Sequence, residues 1–380
     1  MINIISIIVP IYHGKKYISS IIDQTEIAAR QLDEECKVEL VLVNDDPQDV
    51  LQQYDSHYID ILTLNTKYNR GIHGARVYGL SIAKGEFVVF LDQDDRILPL
   101  YLKTQYALMR GADAVVCKAI HEGKPFYGVN VPFEEGICLK QMIGGGNAII
   151  SAGQVMLRKT SISQVWINNI MRHNGADDWF LWISMMGEKK KFALNPEILF
   201  EHVVEGSNTS WDTVAMQASE NEAFDIIHEN HVLDLEHEHI LEKTLRDRNV
   251  MRLRELDKYR KMSFLYNQWL MLWENEQTVA DYLKQFSFFK VSIYGITPMA
   301  MRLYRELSSN AIEVDYFIDR NAAYLENERP IYTLDDELPE VDLVIISLVE
   351  RENEIRKNIQ EKLKAKVVTI RELIDMCSKG

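Results

Sequence analysis

The chain has 380 residues, with 57 acidic against 42 basic and a formal charge of −15. That balance excludes the basic footprint needed for non-specific nucleic-acid binding, and it fits poorly with tight docking on anionic lipid. The length sets an expectation of two or three domains, and a hydrophobic share of 47% supplies sizeable cores and excludes general disorder.

Strand and helix signals alternate through the first hundred residues. "ISIIVPIY" (5–12) is a buried-strand run, and a helical stretch follows from about Lys16 to Asp33. "KVELVLVND" (37–45) and "IDILTLN" (59–65) are further strands, with a polar helix or loop through Tyr54 between them. "GARVYGLSIAKG" (74–85) is a helix stopped by Gly85, and "EFVVFLD" (86–92) is a fourth strand. Continuously apolar, β-branched strands alternating with helices predict a doubly wound, mainly parallel sheet, in which ligands sit beyond the strands' carboxyl ends.

Residues 111–210 are less regular: "ADAVVCKAI" and "GQVMLRK" (153–159) read as strands, and "GGGN" (144–147) as a flexible loop. "DDWFLWISMMGEKKK" (177–191) reads as a helix whose acidic start and basic end match the macrodipole. From Thr213 to about Gln285 the pattern is helical, charged at first and then aromatic in "MSFLYNQWLMLW" (262–273). Intramolecular packing or a homo-oligomer interface is the main reading of that aromatic stretch, with membrane-surface contact by Trp269 and Trp273 as the lesser one. Alternation returns with "FKVSIYG", "PMAMRLYRELSS", "VDYFID", "VDLVIIS" and "AKVVTI", a second small α/β unit. The expected division is therefore 1–212, a helical connector 213–286, and 287–380.

The four cysteines (Cys36, Cys117, Cys138, Cys377) are scattered and read as reduced thiols. The apolar start lacks a basic flank, and no run approaches the roughly 20 residues that span a bilayer. These features set the expectation of a cytoplasmic protein, with a peripheral position at the inner face of the membrane as the further reading.

Two acidic clusters fall at strand carboxyl ends, "NDD" (44–46) and "DQDD" (92–95). Mutually repelling aspartates need a cation, solvent at a turn, or a helix N-terminus to offset the repulsion. A calcium EF-hand fails because Ile97 and Lys103 stand where glycine and glutamate are required. An aspartyl-nucleophile phosphatase fits weakly, with Arg96 at the position of a Thr or Val. A plain polar turn, with Asp95 capping the next helix, stays open.

The neighbouring motifs add to this. "SIIVPIYHGKKYI", "VELVLVNDDPQD", "NRGIHGARVYGLSIAKGEFVVFLDQDD" and "GADDWFLWISMMG" occur in this order. Together the series resembles family 2 glycosyltransferases of the GT-A fold, over roughly residues 4–210. The departures are His13 and Val77 where asparagine is usual, and Asn44 in place of a first aspartate, while Asp45 and Asp49 are kept.

The resemblance implies transfer of a sugar from a nucleotide-diphosphate donor to a glycan or glycoprotein hydroxyl, with inversion and with Mn²⁺ or Mg²⁺. Hard cations prefer oxygen ligands and can stabilise a diphosphate leaving group. By resemblance, Asp94 is the direct metal ligand, with Asp92 near the ribose and metal-bound water. His202 either completes the metal shell or is structural. Asp45 would accept from a base N–H, uracil favoured, while Pro10, Tyr12 and Gln93 flank the nucleotide. Arg76 either stabilises phosphates or braces Asp92. Asp178 and Asp177 match the family's acid pair that supplies the general base, and which of them acts is open.

"SIYGITPMAMRLYREL" (292–307) resembles a dinucleotide-binding turn, but Thr297 and Ala300 replace glycines and Pro298 removes an N–H. A docking or oligomerisation role for this Rossmann-like module is the main expectation. The rival to the enzyme reading is a glycosyltransferase-like scaffold that recruits partners through its C-terminal half.

Overall fold

The computed structural model describes residues 3–32, 36–126, 128, 131–204 and 212–378. Its contacts divide the chain into two compact units, Met1–Val250 and Met251–Gly380. The expected connector is thus shared between them, because the division falls inside one 40-residue helix, Leu235–Glu274.

In the first unit the strands are β1 (Asn3–Ile11), β2 (Cys36–Asn44), β3 (Asp60–Asn65), β4 (Phe87–Phe90), β5 (Arg96–Ile97), β6 (Ala114–His121), β7 (Lys124–Pro125), β8 (Val155–Arg158) and β9 (Phe192–His202). Among the described residues they form one sheet in the order β3-β2-β1-β4-β8-β6-β9-β5, with β7 on β6. The β3-β2-β1-β4 half is parallel, whereas β8 runs antiparallel to both β4 and β6. This is the expected α/β sheet, parallel-rich and mixed toward one side.

The continuous apolar run of β1 has a direct cause. Ile8 packs on one face with Val41, Val43 and Val88, while Ile5, Ile7 and Val9 pack on the other with Ile21, Leu40 and Leu42. Both faces are covered, so the strand carries no polar alternation. The strand order reverses at β1, since β2 follows it on one side and β4 lies on the other, and such a switch opens a crevice at the carboxyl edge. The ladder extends one step past the strands: the Asp45 amide donates to the Ile11 carbonyl at 2.8 Å, and the Leu91 amide to Ile8 at 3.0 Å. These bonds set Asp45 and Asp92 side by side with the end of β1 at that edge.

β9 has no counterpart in the sequence reading. Its Asn195-Pro196-Glu197 stretch interrupts the pattern, and the β6 register shifts around Lys118 to absorb it. The Asn195 amide is taken up internally, donating to Gln105 Oε1 at 3.1 Å.

The second unit holds β10 (Lys290–Tyr294), β11 (Glu313–Ile318), β12 (Ile331–Tyr332), β13 (Leu343–Ile346) and β14 (Lys366–Thr369), all parallel, in the order β12-β11-β10-β13-β14. The aromatic stretch 262–273 is partly core here: Leu265, Trp269 and Leu272 are buried against Val279, Leu283 and Leu303, while Phe264 and Met271 stay exposed. Among the described residues no helix is long and apolar enough to cross a membrane. The four cysteines are free thiols.

Candidate active site

The loop after β4 is a tight turn, closed by the Asp95 amide donating to the Asp92 carbonyl at 3.2 Å. It sends three carboxylates to three different environments. Asp95 is buried and accepts from Ser151 Oγ at 2.6 Å, His202 Nδ1 at 2.9 Å and the Val203 amide at 3.1 Å. Asp95 is therefore not a helix cap; the next helix begins at Tyr101 with Leu100 at its N-cap. Asp92 receives the Arg76 guanidinium on one oxygen and Ser151 Oγ, at 3.4 Å, on the other. Asp94 is half-buried, with no side-chain partner among the described residues. Burial, and then the charges of Asp95 and Asp92, push its carboxyl up to about 6.

Arg76 rises from the Gly71–Ile82 helix into the interior, where only 3% of its side chain is accessible. It bridges Asp92 to Asp177 Oδ2, the latter at 2.6 Å. Burial works against its charge, but Asp177, Asp92 and Asp178 outweigh this and hold its pKa above the ordinary value. The guanidinium is thus committed to bracing two acids. A buried pair of this kind needs good geometry and multiple bonds to offset desolvation.

The two acids at the start of the Asp177–Gly187 helix are in this way separated in role. Asp177 is buried in the ion pair, and its carbonyl accepts from Trp166 Nε1 at 2.8 Å. Asp178 is half-buried, with one oxygen on the Trp179 amide at 2.6 Å and the other 3.4 Å from Asn147 Nδ2. Burial, followed by the adjacent Asp177 charge, pushes it up to about 7, against a partial offset by Arg76. Asn147 lies in the expected "GGGN" loop. A Cβ at Gly146 (φ +113°) would come within 3.0 Å of Arg248 Nη2, so the loop is tightly seated there.

At the other wall, Asp45 is buried and accepts from the Arg70 amide at 2.8 and 2.9 Å and from Thr66 Oγ1 at 3.3 Å. Burial raises its pKa despite these bonds. Asn44 organises the loop behind it, donating to the carbonyls of Asp46 and Asp49 and to Asn65 Oδ1 at 2.8–3.1 Å. His13, at φ +50°, places Nδ1 2.8 Å from Asp46. Gln93 pins the backbone of Tyr12 from both sides: the Tyr12 amide donates to Oε1 at 3.0 Å, and Nε2 donates to the Tyr12 carbonyl at 3.2 Å. Gly14 makes room for that amide, since a Cβ there would come within 1.9 Å of Gln93 Oε1. Pro10 is buried in β1 opposite Val43.

The expected ligand set of Asp94, Asp92 and His202 is not preassembled. Among the described residues no three or more acidic, His or Cys side chains are arranged to hold a metal ion on their own. The physical reason is that Asp92 is tied to Arg76 and the Nδ1 of His202 to Asp95. The donor chemistry nevertheless suits a hard divalent cation. Asp94 is an unpartnered carboxylate in an acidic cluster, and His202 keeps Nε2 beyond its Asp95 bond. An imidazole whose other nitrogen donates to a carboxylate is the usual form of a histidine ligand. His202 also stacks on His121, with ring centroids 5.3 Å apart and planes 9° apart.

Sequence reasoning did not single out Ser151, which joins Asp92 to Asp95, or Asn147 beside Asp178. It also passed over His73, which is buried, accepts the Met171 amide on Nδ1 and lies 3.1 Å from the Trp166 carbonyl through Nε2. Neither the Ser nor the Asn stands in a recognisable spacing. The second falls in "GGGN", which the sequence marks only as a flexible loop.

A buried acidic turn thus lies at the switch point of a parallel-rich sheet, and Arg76 joins it to the acid pair at the start of a later helix. Residues 6–166 match the family model described as glycosyl transferase family 2. The minor teichoic acid biosynthesis protein GgaB of Bacillus subtilis (strain 168) is 37% identical over 100 residues, covering 24% of this chain and 10% of that protein. The poly(ribitol-phosphate) beta-glucosyltransferase of Bacillus spizizenii is 33% identical over 98 residues, covering 24% of this chain and 15% of the relative. The matched segment thus spans a small fraction of these relatives' lengths. Among solved structures, S. aureus TarS 1–349 in complex with UDP-GlcNAc aligns at 19% identity and a TM-score of 0.46, over 64% of this chain and 71% of that one.

Proposed function

We propose that the chain is an inverting glycosyltransferase that moves a sugar from a nucleoside diphosphate, uridine favoured, to a hydroxyl of a glycan or glycoconjugate, with the help of a divalent metal. The observation that carries this reading is the division of labour between Asp177, held by Arg76, and Asp178, pushed up to about 7. A carboxylate with a pKa near the operating pH is suited to general-base catalysis.

In this mechanism Asp178 takes the proton from the acceptor hydroxyl as its oxygen attacks the anomeric carbon. The anomeric C–O bond breaks on the opposite face, and its electron pair leaves with the diphosphate. Asp94 and His202 would hold Mn²⁺ or Mg²⁺ together with the diphosphate oxygens, and the bound cation would supply neutralisation of the leaving group. Arg76 keeps Asp92 oriented and engages Asp177 in an ion pair, which leaves Asp178 as the acid facing the acceptor. Asp45 would accept from the base, with Tyr12, Pro10 and Gln93 along the nucleoside. The names of two relatives, for teichoic acid biosynthesis and poly(ribitol-phosphate) glucosylation, support an anionic surface polymer as the acceptor class. The second unit would then serve docking or self-association.

Calorimetric titration with UDP, GDP, CDP and dTDP, each with and without Mn²⁺, tests the donor site on wild type and Asp94→Asn. Metal-dependent binding of one nucleotide, lost in the variant, is the expected result. Absence of binding by wild type in all arms would sink the transferase reading and leave a partner-recruiting scaffold.

A further inference from the structure

The second unit contains a cavity of about 920 Å³ that no step of the proposed transfer uses. One wall is a stripe of the Pro298–Ser309 helix: Pro298, Arg302, Arg305 and Ser309 recur at the spacing of one helical face. The opposite face, through Met299, Ala300, Leu303 and Leu307, is buried in the core, so the fold already has its anchor without the stripe. The facing wall is the end of the 40-residue helix, with Tyr266 and Trp273, followed by Gln277.

The polar groups of this cavity divide unevenly. Glu306 is buried, and its oxygens accept from Trp269 Nε1 (2.7 Å), Trp273 Nε1 (3.0 Å) and the Val279 amide (2.7 Å), so its charge is spread into the wall. Glu276 also faces the cavity but is exposed to solvent. Arg302 Cζ lies over the Trp273 ring, 4.5 Å from its centroid, and neither Arg302 nor Arg305 pairs with a carboxylate among the described residues. The cation–π contact holds the guanidinium over the ring without using its N–H groups, which suits binding of a phosphate. Two arginines three apart on a helix are neighbours and can share one such group. Gln277 and Asn310 add amides for hydroxyl groups, and Tyr266 adds an aromatic wall. The volume lies within the ~300–1,000 Å³ range of small-molecule sites.

We propose that this cavity is a second binding site, separate from the carboxylate centre, for the phosphate ester of a sugar or polyol. Arg302 and Arg305 take the phosphate, and the amides and aromatic wall take the hydroxylated body. The site needs no cation and no nucleotide, so its occupancy does not depend on the transfer chemistry.

The test is calorimetric titration of the full chain with glucose 6-phosphate, alongside glucose and inorganic phosphate, in wild type, Asp94→Asn and the double variant Arg302→Ala/Arg305→Ala. The expected result is metal-independent binding of glucose 6-phosphate, tighter than either control and weakening with added salt. It should be unchanged in Asp94→Asn and at least tenfold weaker in the double variant. Arg305→Glu, a change at an exposed helix position, should weaken it with no change in thermal unfolding, which separates ligand contact from folding. Sedimentation with phosphatidylglycerol vesicles, against phosphatidylcholine vesicles, forms a further arm. Binding only to the anionic vesicles would overturn the assignment in favour of a lipid headgroup. Equal affinity in wild type and double variant, or loss of binding in Asp94→Asn, would also overturn it.

Discussion

At the carboxyl edge of β1 and β4 the first unit gathers Asp92, Asp94 and Asp95 beside Asp45, whereas the corresponding edge of β10 and β11 in the second unit carries Gly295, Thr297 and Asp319. Both are parallel strands ending in a turn toward a helix, yet they treat their polar groups in opposite ways. In the second unit Asp319 accepts from the Ile296 amide at 3.0 Å and from Asn321 at 2.9 Å, and Thr297 Oγ1 caps the Ala300 amide at 3.0 Å. That turn satisfies itself, and the N–H groups a pyrophosphate would use are partly spent on Thr297 and removed by Pro298. The first unit leaves Asp94 without a side-chain partner among the described residues and holds Asp94 and Asp178 well above the usual carboxylate range. A strand's carboxyl edge marks where a ligand can sit, and the two edges differ in what the fold leaves unsatisfied there.

The contrast can be broken first at the acid pair. Asp178→Asn is expected to lower kcat/KM by about 10²–10⁴ in an initial-rate transfer assay, the span of general-base catalysis. It should leave thermal stability at pH 8 equal or higher, because a buried charge is removed. Comparable stability loss with little rate loss would assign Asp178 to structure instead. Next comes Arg76→Met, which leaves Asp92 and Asp177 facing burial uncompensated; breaking such a pair costs about 3–5 kcal/mol, read as a lowered denaturation midpoint. Asp95→Asn should weaken Mn²⁺ affinity about 10–100-fold through His202, measured by titration in the presence of UDP.

A smaller effect sharpens the comparison through pH. The folded-state pKa values of Asp94 and Asp178 are raised, so their stabilising contribution is full below the ordinary carboxylate pKa of 3.8 and is lost as pH rises through about 6 and 7. Mn²⁺ with UDP should therefore raise the melting temperature more at pH 8 than at pH 5, and kcat/KM should climb to a plateau above about pH 7. The smallest effect is on the other edge. Thr297→Ala should cost about 1 kcal/mol by removing a helix cap, with no change in nucleotide binding. A change in nucleotide affinity there would erase the distinction between the two edges.

How much of this was legible depended on whether a residue's partners are near in sequence. β1 through β4 were readable to within a few residues, because β1, β2 and β4 are continuous apolar runs buried on both faces; the helix before β4 ends at Ile82, three residues short of the Gly85 stop expected from sequence. The acidic turn and the acid pair stood out by composition and order. β9 was hidden by Pro196, and β12, two residues long, carried no pattern at all. The separation of Asp177 from Asp178 was invisible, since it depends on Arg76, 101 positions away from Asp177. Ser151 was missed for the same reason, as its partners Asp92 and Asp95 lie 59 and 56 positions away. The aromatic stretch 262–273 offered several readings, and burial of Trp269 on Glu306 gives it a core role.

The two-sided hold of Gln93 on Tyr12 has a consequence for affinity. With both backbone groups of Tyr12 engaged, its main chain is held in place while the ring remains 48% exposed; in the proposed donor site the nucleoside would meet a main chain already ordered. Only two side-chain torsions are left to freeze on contact, a loss of about 0.5–1.5 kcal/mol for a side chain of this kind. Tyr12 is in effect a hinged plate on a fixed post, and under the proposed function the loop that carries it would meet the nucleoside with little left to order.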